Sequence, residues 1–310
     1  MSANKRLRVA FMGTPEFAVP SVRALAGRHE VVLVVTRPDA VRGRGRRLMP
    51  SPVKAAALEL GLPVLETSRV DEETMRRVEE EHADVVCVAA YGALLPDDFL
   101  AVAPLGCVNV HASLLPRGRG AAPIQRAVLE GDEVAGVSIM RIVHDLDAGP
   151  FCRQATVGIG EKPCAQVMAE LAELGARELC TALEDMVAGT VTWTEQDDSR
   201  ATYAAKVQKA EMQLDPQDTA LENRRRVQAS LDAAPARMAL AGRGLRVLDA
   251  RVSDAAVAPG AVLAGKGRVH IGCADGALEL LRVKPDGKRE MAVSAWASGL
   301  RGDALVWERA

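Results

Sequence analysis

Cys107-Val108-Asn109-Val110-His111-Ala112-Ser113-Leu114-Leu115-Pro116 is the stretch on which the reading of this chain turns. Its first half, apolar apart from Asn109, reads as a buried strand. Side chains at i and i+2 share a face of a strand, so Asn109 and His111 project together at its carboxyl end. That end is where open α/β sheets place their ligands. Pro116, Gly118 and Gly120 then form a loop ahead of a helical pattern from Ala122 to Glu130. Asp147 stands in a second loop, Asp145-Leu146-Asp147-Ala148-Gly149, after the strand-like Val137 to Val143. Spacing does not join Asp147 to His111; only folding can. Brought together, the three residues offer a donor that does not titrate, a proton carrier active near neutrality and a carboxylate to govern it, a set suited to acyl transfer. Taken singly, they have plainer explanations: a strand histidine bonded to a carbonyl, an asparagine fastening a turn, an ordinary loop carboxylate.

Outward from this stretch the first 190 residues alternate strand and helix patterns. Val9 to Met12, Val31 to Val35, Pro63 to Leu65, Val85 to Ala90, Val108 to Val110 and Val137 to Ile142 read as short apolar strands. Val53 to Leu60, Glu72 to Glu81 and Ala165 to Val187 read as helices, the last stopped by Gly189. The expected fold class is therefore α/β, Rossmann-like, with a mainly parallel twisted sheet. The first strand ends in Gly13 without G-x-G-x-x-G, so a bound dinucleotide is not indicated. Thr190 to Ala201 is polar and reads as a solvated linker, and short strands follow from Arg246 to Val283, spaced by Gly, Asp and Pro. The expected organisation is a catalytic domain over residues 1–189, a linker over 190–208 and a small β-barrel domain over 209–310.

Composition sets the bounds. A chain of 310 residues, 48% hydrophobic and 26% charged, is long enough for two cores. No apolar run approaches the roughly 18 residues of a membrane helix, and the amino-terminal residues lack a secretory apolar segment, so a cytoplasmic protein without membrane contact is expected. The six cysteines are scattered without a Cys-x-x-Cys pair, which favours reduced, mostly buried thiols and no metal. The net charge of −2 is uneven: residues 209–310 carry 16 Lys and Arg against 13 Asp and Glu, residues 1–208 carry 23 against 28. A polyanion would prefer the later part, but an excess of +3 alone reads first as chance variation over solvated faces.

Several separated motifs, in order, carry a family resemblance. Asn109-x-His111-x-Ser113-Leu114-Leu115-Pro116, Arg119-Gly120-Ala121-Ala122-Pro123-Ile124-Gln125 and Leu146-Asp147-Ala148-Gly149 resemble the formyltransferases that use 10-formyltetrahydrofolate. Gly13-Thr14-Pro15-Glu16-Phe17-Ala18 and the run from Gly43 to Lys54 are similar to the methionyl-tRNA branch of that family. The resemblance implies catalysis by Asn109, His111 and Asp147, a folate cosubstrate held by Ser113, Leu114, Leu115 and Pro116 and enclosed by the Tyr91-Gly92 loop, and no metal. It also implies that the barrel is OB-like, that the partner is initiator methionyl-tRNA, and that Arg42, Arg44, Arg46 and Arg47 form a loop entering the tRNA acceptor end. The interleaved Gly43 and Gly45 suit such a loop, since a pliable backbone can fit guanidinium groups onto phosphates or base edges. A monomer is expected. Two positions depart from the family pattern: Gly118 replaces a frequent aromatic residue, and Ala233 to Arg237 lacks an Asn-Pro-x-Pro type turn.

Other readings make different demands. A formyltransferase acting on an amino sugar nucleotide would keep the triad but have no use for the arginine loop. A catalytically silent RNA-binding protein would not need the triad. An NAD-dependent oxidoreductase would need the missing glycine fingerprint.

Overall fold

The computed structural model describes residues 6–42, 47–300 and 305–310, and for Arg42 the backbone alone. Strand β1 (Arg8–Gly13), helix α1 (Val19–Arg28) and strand β2 (Glu30–Thr36) open the chain. The short strands β3 (Ala40–Arg42) and β4 (Arg47–Met49) pair antiparallel. Helix α2 (Pro52–Glu59), β5 (Val64–Glu66), α3 (Glu72–Glu80), β6 (Val85–Ala89) and β7 (Cys107–His111) follow. Next come α4 (Pro123–Glu130), β8 (Val134–Arg141), β9 (Phe151–Gly158) and the long α5 (Cys164–Ala188).

Seven strands form one sheet in the order β5-β2-β1-β6-β7-β8-β9. The pairs among β5, β2, β1, β6 and β7 are parallel, and β8 runs antiparallel to β7. The reason lies in the residues: Val85–Ala89 is buried throughout, as is β2 after Glu30, and unbroken apolar runs suit strands covered on both faces. Caps start two of the intervening helices. The Ser51 hydroxyl accepts from the Lys54 amide with Pro52 at the first helical position, and the Asp71 carboxylate accepts from the Thr74 amide. The parallel pairing puts the carboxyl ends of β1, β6 and β7 side by side, with Gly13 opposite Ala89 and Val88 opposite Asn109.

The later part of the chain adds α6 (Ala220–Gln228), β10 (Arg237–Leu240), β11 (Arg243–Ser253), β12 (Val262–Gly265), β13 (Arg268–Cys273), β14 (Gly276–Pro285), β15 (Met291–Ala292), α7 (Val293–Ala297) and β16 (Trp307–Glu308). Its sheet runs β12-β13-β14-β11-β10-β16, with β15 on β14, and its strands pair antiparallel. The two ends of that order meet. Val306 bridges Ala261, the Trp307 amide donates to the Gly260 carbonyl at 2.9 Å and the Val262 amide to the Leu305 carbonyl at 3.1 Å, so the sheet curls into a nearly closed barrel. Trp307 fills its interior among Leu240, Ile271 and Leu280, and its indole N–H donates to the Gly272 carbonyl at 2.9 Å. Among the described residues, this near-closure leaves the outer strands β12 and β16 joined to each other and not open to foreign strands.

The chain divides into two compact units that do not follow a single cut. The first holds the residues up to Pro123, Ala135–Gly158 and Met168–Ala204; the second holds Ile124–Val134, Ile159–Val167 and the residues from Ala205 on. The expected division by one linker over 190–208 does not anticipate the two early segments in the second unit. Their partners explain it: Gln125 donates to the Ala229 carbonyl at 2.8 Å, Arg126 pairs with Glu211 at 2.7 Å, and Gln228 donates to the Gly160 and Lys162 carbonyls at 2.7 and 2.9 Å. Nor is the polar stretch after Gly189 a free tether. Thr194 bridges Phe151 and Tyr203 bridges Arg119.

His29, buried between α1 and β2, accepts a 3.4 Å hydrogen bond from the Leu7 amide through Nδ1, and burial holds its pKa below the ordinary value. The folded state therefore resists protonating a ring that titrates freely once unfolded, and stability falls as pH drops below about 6.5. In His29→Asn an acceptor remains near the place of Nδ1 without titrating. Denaturant midpoints measured from about pH 7 down to about pH 5 should decline less steeply in the variant. Parallel declines would exclude His29 as the titrating group.

Candidate active site

The site is built on the carboxyl end of β7. Asn109 lies opposite Met140 and His111 opposite Ser138 on β8, so the two side chains share one face of the sheet, with Asn109 half-buried and His111 buried. The imidazole Nε2–H donates to the Gly118 carbonyl at 2.9 Å, since a carbonyl can only accept. Nδ1 faces Asp147, with Oδ1 at 3.6 Å, beyond a hydrogen bond but close enough for charge coupling. The fold thus brings Asp147 to His111, which sequence spacing could not.

Three features hold Asp147 there. Its backbone is left-handed, φ 52°, a conformation that aspartate tolerates better than most residues. Its Oδ2 accepts from the Gly120 amide at 2.8 Å. The turn after it passes so near β8 that a Cβ on Gly149 would stand 2.0 Å from the Arg141 carbonyl, so only glycine fits. Gly120 itself, φ 106°, presses against residue 204 while its amide points at the carboxylate.

The loop after His111 is equally tied down. Ser113 is buried and its hydroxyl donates to the Arg117 carbonyl at 2.7 Å. Ser138 Oγ donates to the Ser113 carbonyl at 2.7 Å and accepts from the Leu115 amide at 3.2 Å, while Gln154 donates to the Leu115 carbonyl at 2.9 Å. The Leu114 side chain lies over Gly136, where a Cβ would come within 2.3 Å of it, and Pro116 is half-buried. Of Ser113, Leu114, Leu115 and Pro116, Leu115 is spent in the core. Tyr91 is a core residue too: its ring packs with Val70 and Phe99, its hydroxyl donates to the Thr67 carbonyl at 3.3 Å, and burial pushes its pKa up. What that loop presents outward is Gly92, exposed and left-handed at φ 82°. Thr14 Oγ1 donates to the Tyr91 carbonyl at 3.1 Å, tying the ends of β1 and β6 together.

Of the arginine loop, Arg44 and Arg46 lie outside the described residues. Arg42 and Arg47 pair across β3 and β4, and Arg47 is exposed. Among the described residues, no group of three His, Cys, Asp or Glu could hold a metal ion, and no helix is long and apolar enough to cross a membrane. The cysteines are all free, and burial pushes the thiols of Cys107 and Cys164 up to about 12.

Sequence reasoning missed the polar partners behind this site. Arg119, 4% exposed, donates through Nε to Gln196 Oε1 at 3.0 Å and through Nη2 to Asp198 at 2.7 Å. Burial alone would lower its pKa, yet hydrogen bonds to Asp198 and Tyr203 hold the guanidinium above its ordinary value. Gln196 Nε2 donates to the Asp147 and Gly149 carbonyls at 2.8 and 2.6 Å, and Thr202 Oγ1 accepts from the Gly118 amide at 2.9 Å. Gln196, Asp198, Thr202 and Tyr203 sit in the polar stretch taken for a linker, where no periodicity marks them.

Comparison with known proteins agrees with this architecture. Residues 6–183 match the formyl transferase family and residues 206–301 the formyl transferase C-terminal domain. A methionyl-tRNA formyltransferase of Methylococcus capsulatus is 46% identical over 309 residues, spanning 98% of this chain and 99% of that one. Among solved structures, HypX of Aquifex aeolicus in complex with tetrahydrofolic acid superposes with a TM-score of 0.65 at 18% identity, over 94% of this chain and 47% of HypX, so this chain spans about half of that protein. An N-formyltransferase of Helicobacter canadensis, bound to folinic acid and dTDP-3-aminofucose, gives a TM-score of 0.65 at 12% identity, over 92% of this chain and 100% of that one. Those two likenesses speak to the fold, whereas near-full-length identity of 46% speaks to descent: the chain belongs to the methionyl-tRNA formyltransferase family.

Proposed function

We propose that this protein transfers the formyl group of 10-formyltetrahydrofolate to the α-amine of methionyl initiator tRNA, acting as a cytoplasmic monomer. The observation that carries the reading is the meeting of His111 with Asp147, 3.6 Å apart, beside Asn109 at the end of a central strand. The amine attacks the formyl carbon, a tetrahedral oxyanion forms, and it collapses as N10 of the folate leaves. Asn109 donates to the formyl oxygen without titrating, and the His111 Nε2–H turns from the Gly118 carbonyl to the same oxygen. Asp147, beside the ring, helps carry the proton lost by the amine toward N10. The loop from Ser113 to Pro116 and the exposed Gly92 backbone line the folate site. The barrel binds the tRNA backbone, in keeping with its basic excess of 16 against 13.

Incubation with methionyl initiator tRNA and 10-formyltetrahydrofolate should yield N-formylmethionyl-tRNA. No product, or faster formylation of an amino sugar nucleotide, would sink the assignment. The arginine loop has its own test. Arg44→Ala should spare folate binding and weaken discrimination between initiator and elongator methionyl-tRNA by about tenfold or more, as expected when one residue reads local structure. Filter-binding titrations with both tRNAs measure it, and unchanged discrimination would return the loop to a solvated surface.

A further inference from the structure

We propose that Gln196 is a positioning residue for the reaction: its side-chain amide clamps the Asp147 loop and so sets where the carboxylate meets His111. The inference rests on the reading of Asp147 as the partner of His111. Both hydrogens of the amide are committed, one to the Asp147 carbonyl at 2.8 Å and one to the Gly149 carbonyl at 2.6 Å. The first acceptor is the carbonyl of the left-handed residue itself, φ 52°, and the second lies two residues on; a left-handed non-glycine residue persists only where its surroundings hold it.

Arg119 decides which way the amide points. Its Nε–H requires an acceptor and takes Gln196 Oε1 at 3.0 Å, which leaves the NH2 group to face the two carbonyls. Arg119 is in turn held by Asp198 at 2.7 Å and, through its backbone, by the Thr202 carbonyl and the residue 204 amide at 2.9 and 2.7 Å. Thr194 is bridged to Phe151 at the start of β9, so the strand of chain leading to Gln196 is anchored as well. The same bracket therefore holds both partners: through Gln196 it grips the loop of Asp147, and through Thr202 and Arg119 it grips Gly118 and Gly120, which contact His111 and Asp147 respectively.

Gln196→Glu separates this role from mere packing. The carboxylate keeps the length of the side chain and its bond to Arg119, but puts an oxygen where the NH2 faced two carbonyls. Turnover should fall by about 10–100-fold, the range typical for residues that orient a reacting group, while KM for either substrate changes by less than about threefold. In the background of Asp147→Asn, which should itself be slow, Gln196→Glu should add less than about threefold, because it acts through that residue. Gln196→Met, of similar length without donors, provides the same comparison if the glutamate variant does not fold, with thermal melting as the check. A slow Asp147→Asn beside a Gln196→Glu of normal turnover overturns the clamp and leaves the role of Asp147 standing. So do losses that simply add, or a change confined to KM. Normal turnover in Asp147→Asn removes the role of Asp147 and the clamp with it.

Discussion

His111→Ala should lower turnover by about two to four powers of ten while folate affinity changes little, because proton transfer and oxyanion stabilisation are each of that order. The geometry explains why the loss falls on turnover. The ring bonds the Gly118 carbonyl at 2.9 Å with Asp147 Oδ1 3.6 Å from its other nitrogen, and the surrounding loop is held independently through Ser138 and Gln154. Removing the imidazole therefore takes away the proton carrier and leaves the walls. Single-turnover assays with saturating folate, together with direct folate titration, give the two quantities. Near-normal turnover would take His111 out of the mechanism, and a loss confined to folate affinity would make it a binding residue.

Trp307→Ala should destabilise the barrel by about 3–5 kcal/mol, the usual cost of emptying a core position occupied by a large aromatic. Trp307 is 2% exposed, packs among Leu240, Ile271 and Leu280, and belongs to the strand whose neighbours join the two ends of the sheet. Trp307→Phe loses the pyrrole half of the indole and its bond to the Gly272 carbonyl, which still accepts from the Gly260 amide at 3.0 Å, so it should cost less than the alanine change, about 1–3 kcal/mol. Denaturant unfolding followed by circular dichroism ranks the three proteins. Equal midpoints for the alanine variant and the parent would mean that the barrel is closed by other contacts.

The placement of Asn109 and His111 on one face at the carboxyl end of β7 was legible because a strand repeats every two residues. The parallel strands were legible for a related reason: runs such as Val85–Ala89 are buried on both faces and apolar throughout. Strand β9 alternates partly buried and exposed residues and carries Arg153 and Gln154, so it did not stand out. Helix α6 is dominated by charge, and its available signal was the Thr219-x-x-Glu222 capping box, in which each side chain bonds the other's backbone. The Gln196, Asp198 and Thr202 partners were illegible for a deeper reason. Their hydrogen bonds reach residues 47 to 84 positions away, and a solvated polar run has the same composition as one that holds a buried arginine.

The unequal parcelling of the chain bears on how such a sequence can be inherited. A genetic crossover at residue 204 or 205 looks harmless on a linear map, yet a chimera made there would combine α4 and residues 159–167 from one parent with their counterparts from another. Arg126 would meet a foreign residue in place of Glu211, Glu161 one in place of Arg224, and Gly131, where a Cβ would stand 2.0 Å from the Arg225 side chain, a neighbour of different bulk. Recombinants that keep their fitness must carry residues 124–134 and 159–167 along with everything after Ala204. A crossover that keeps these contacts intact therefore moves those three pieces together.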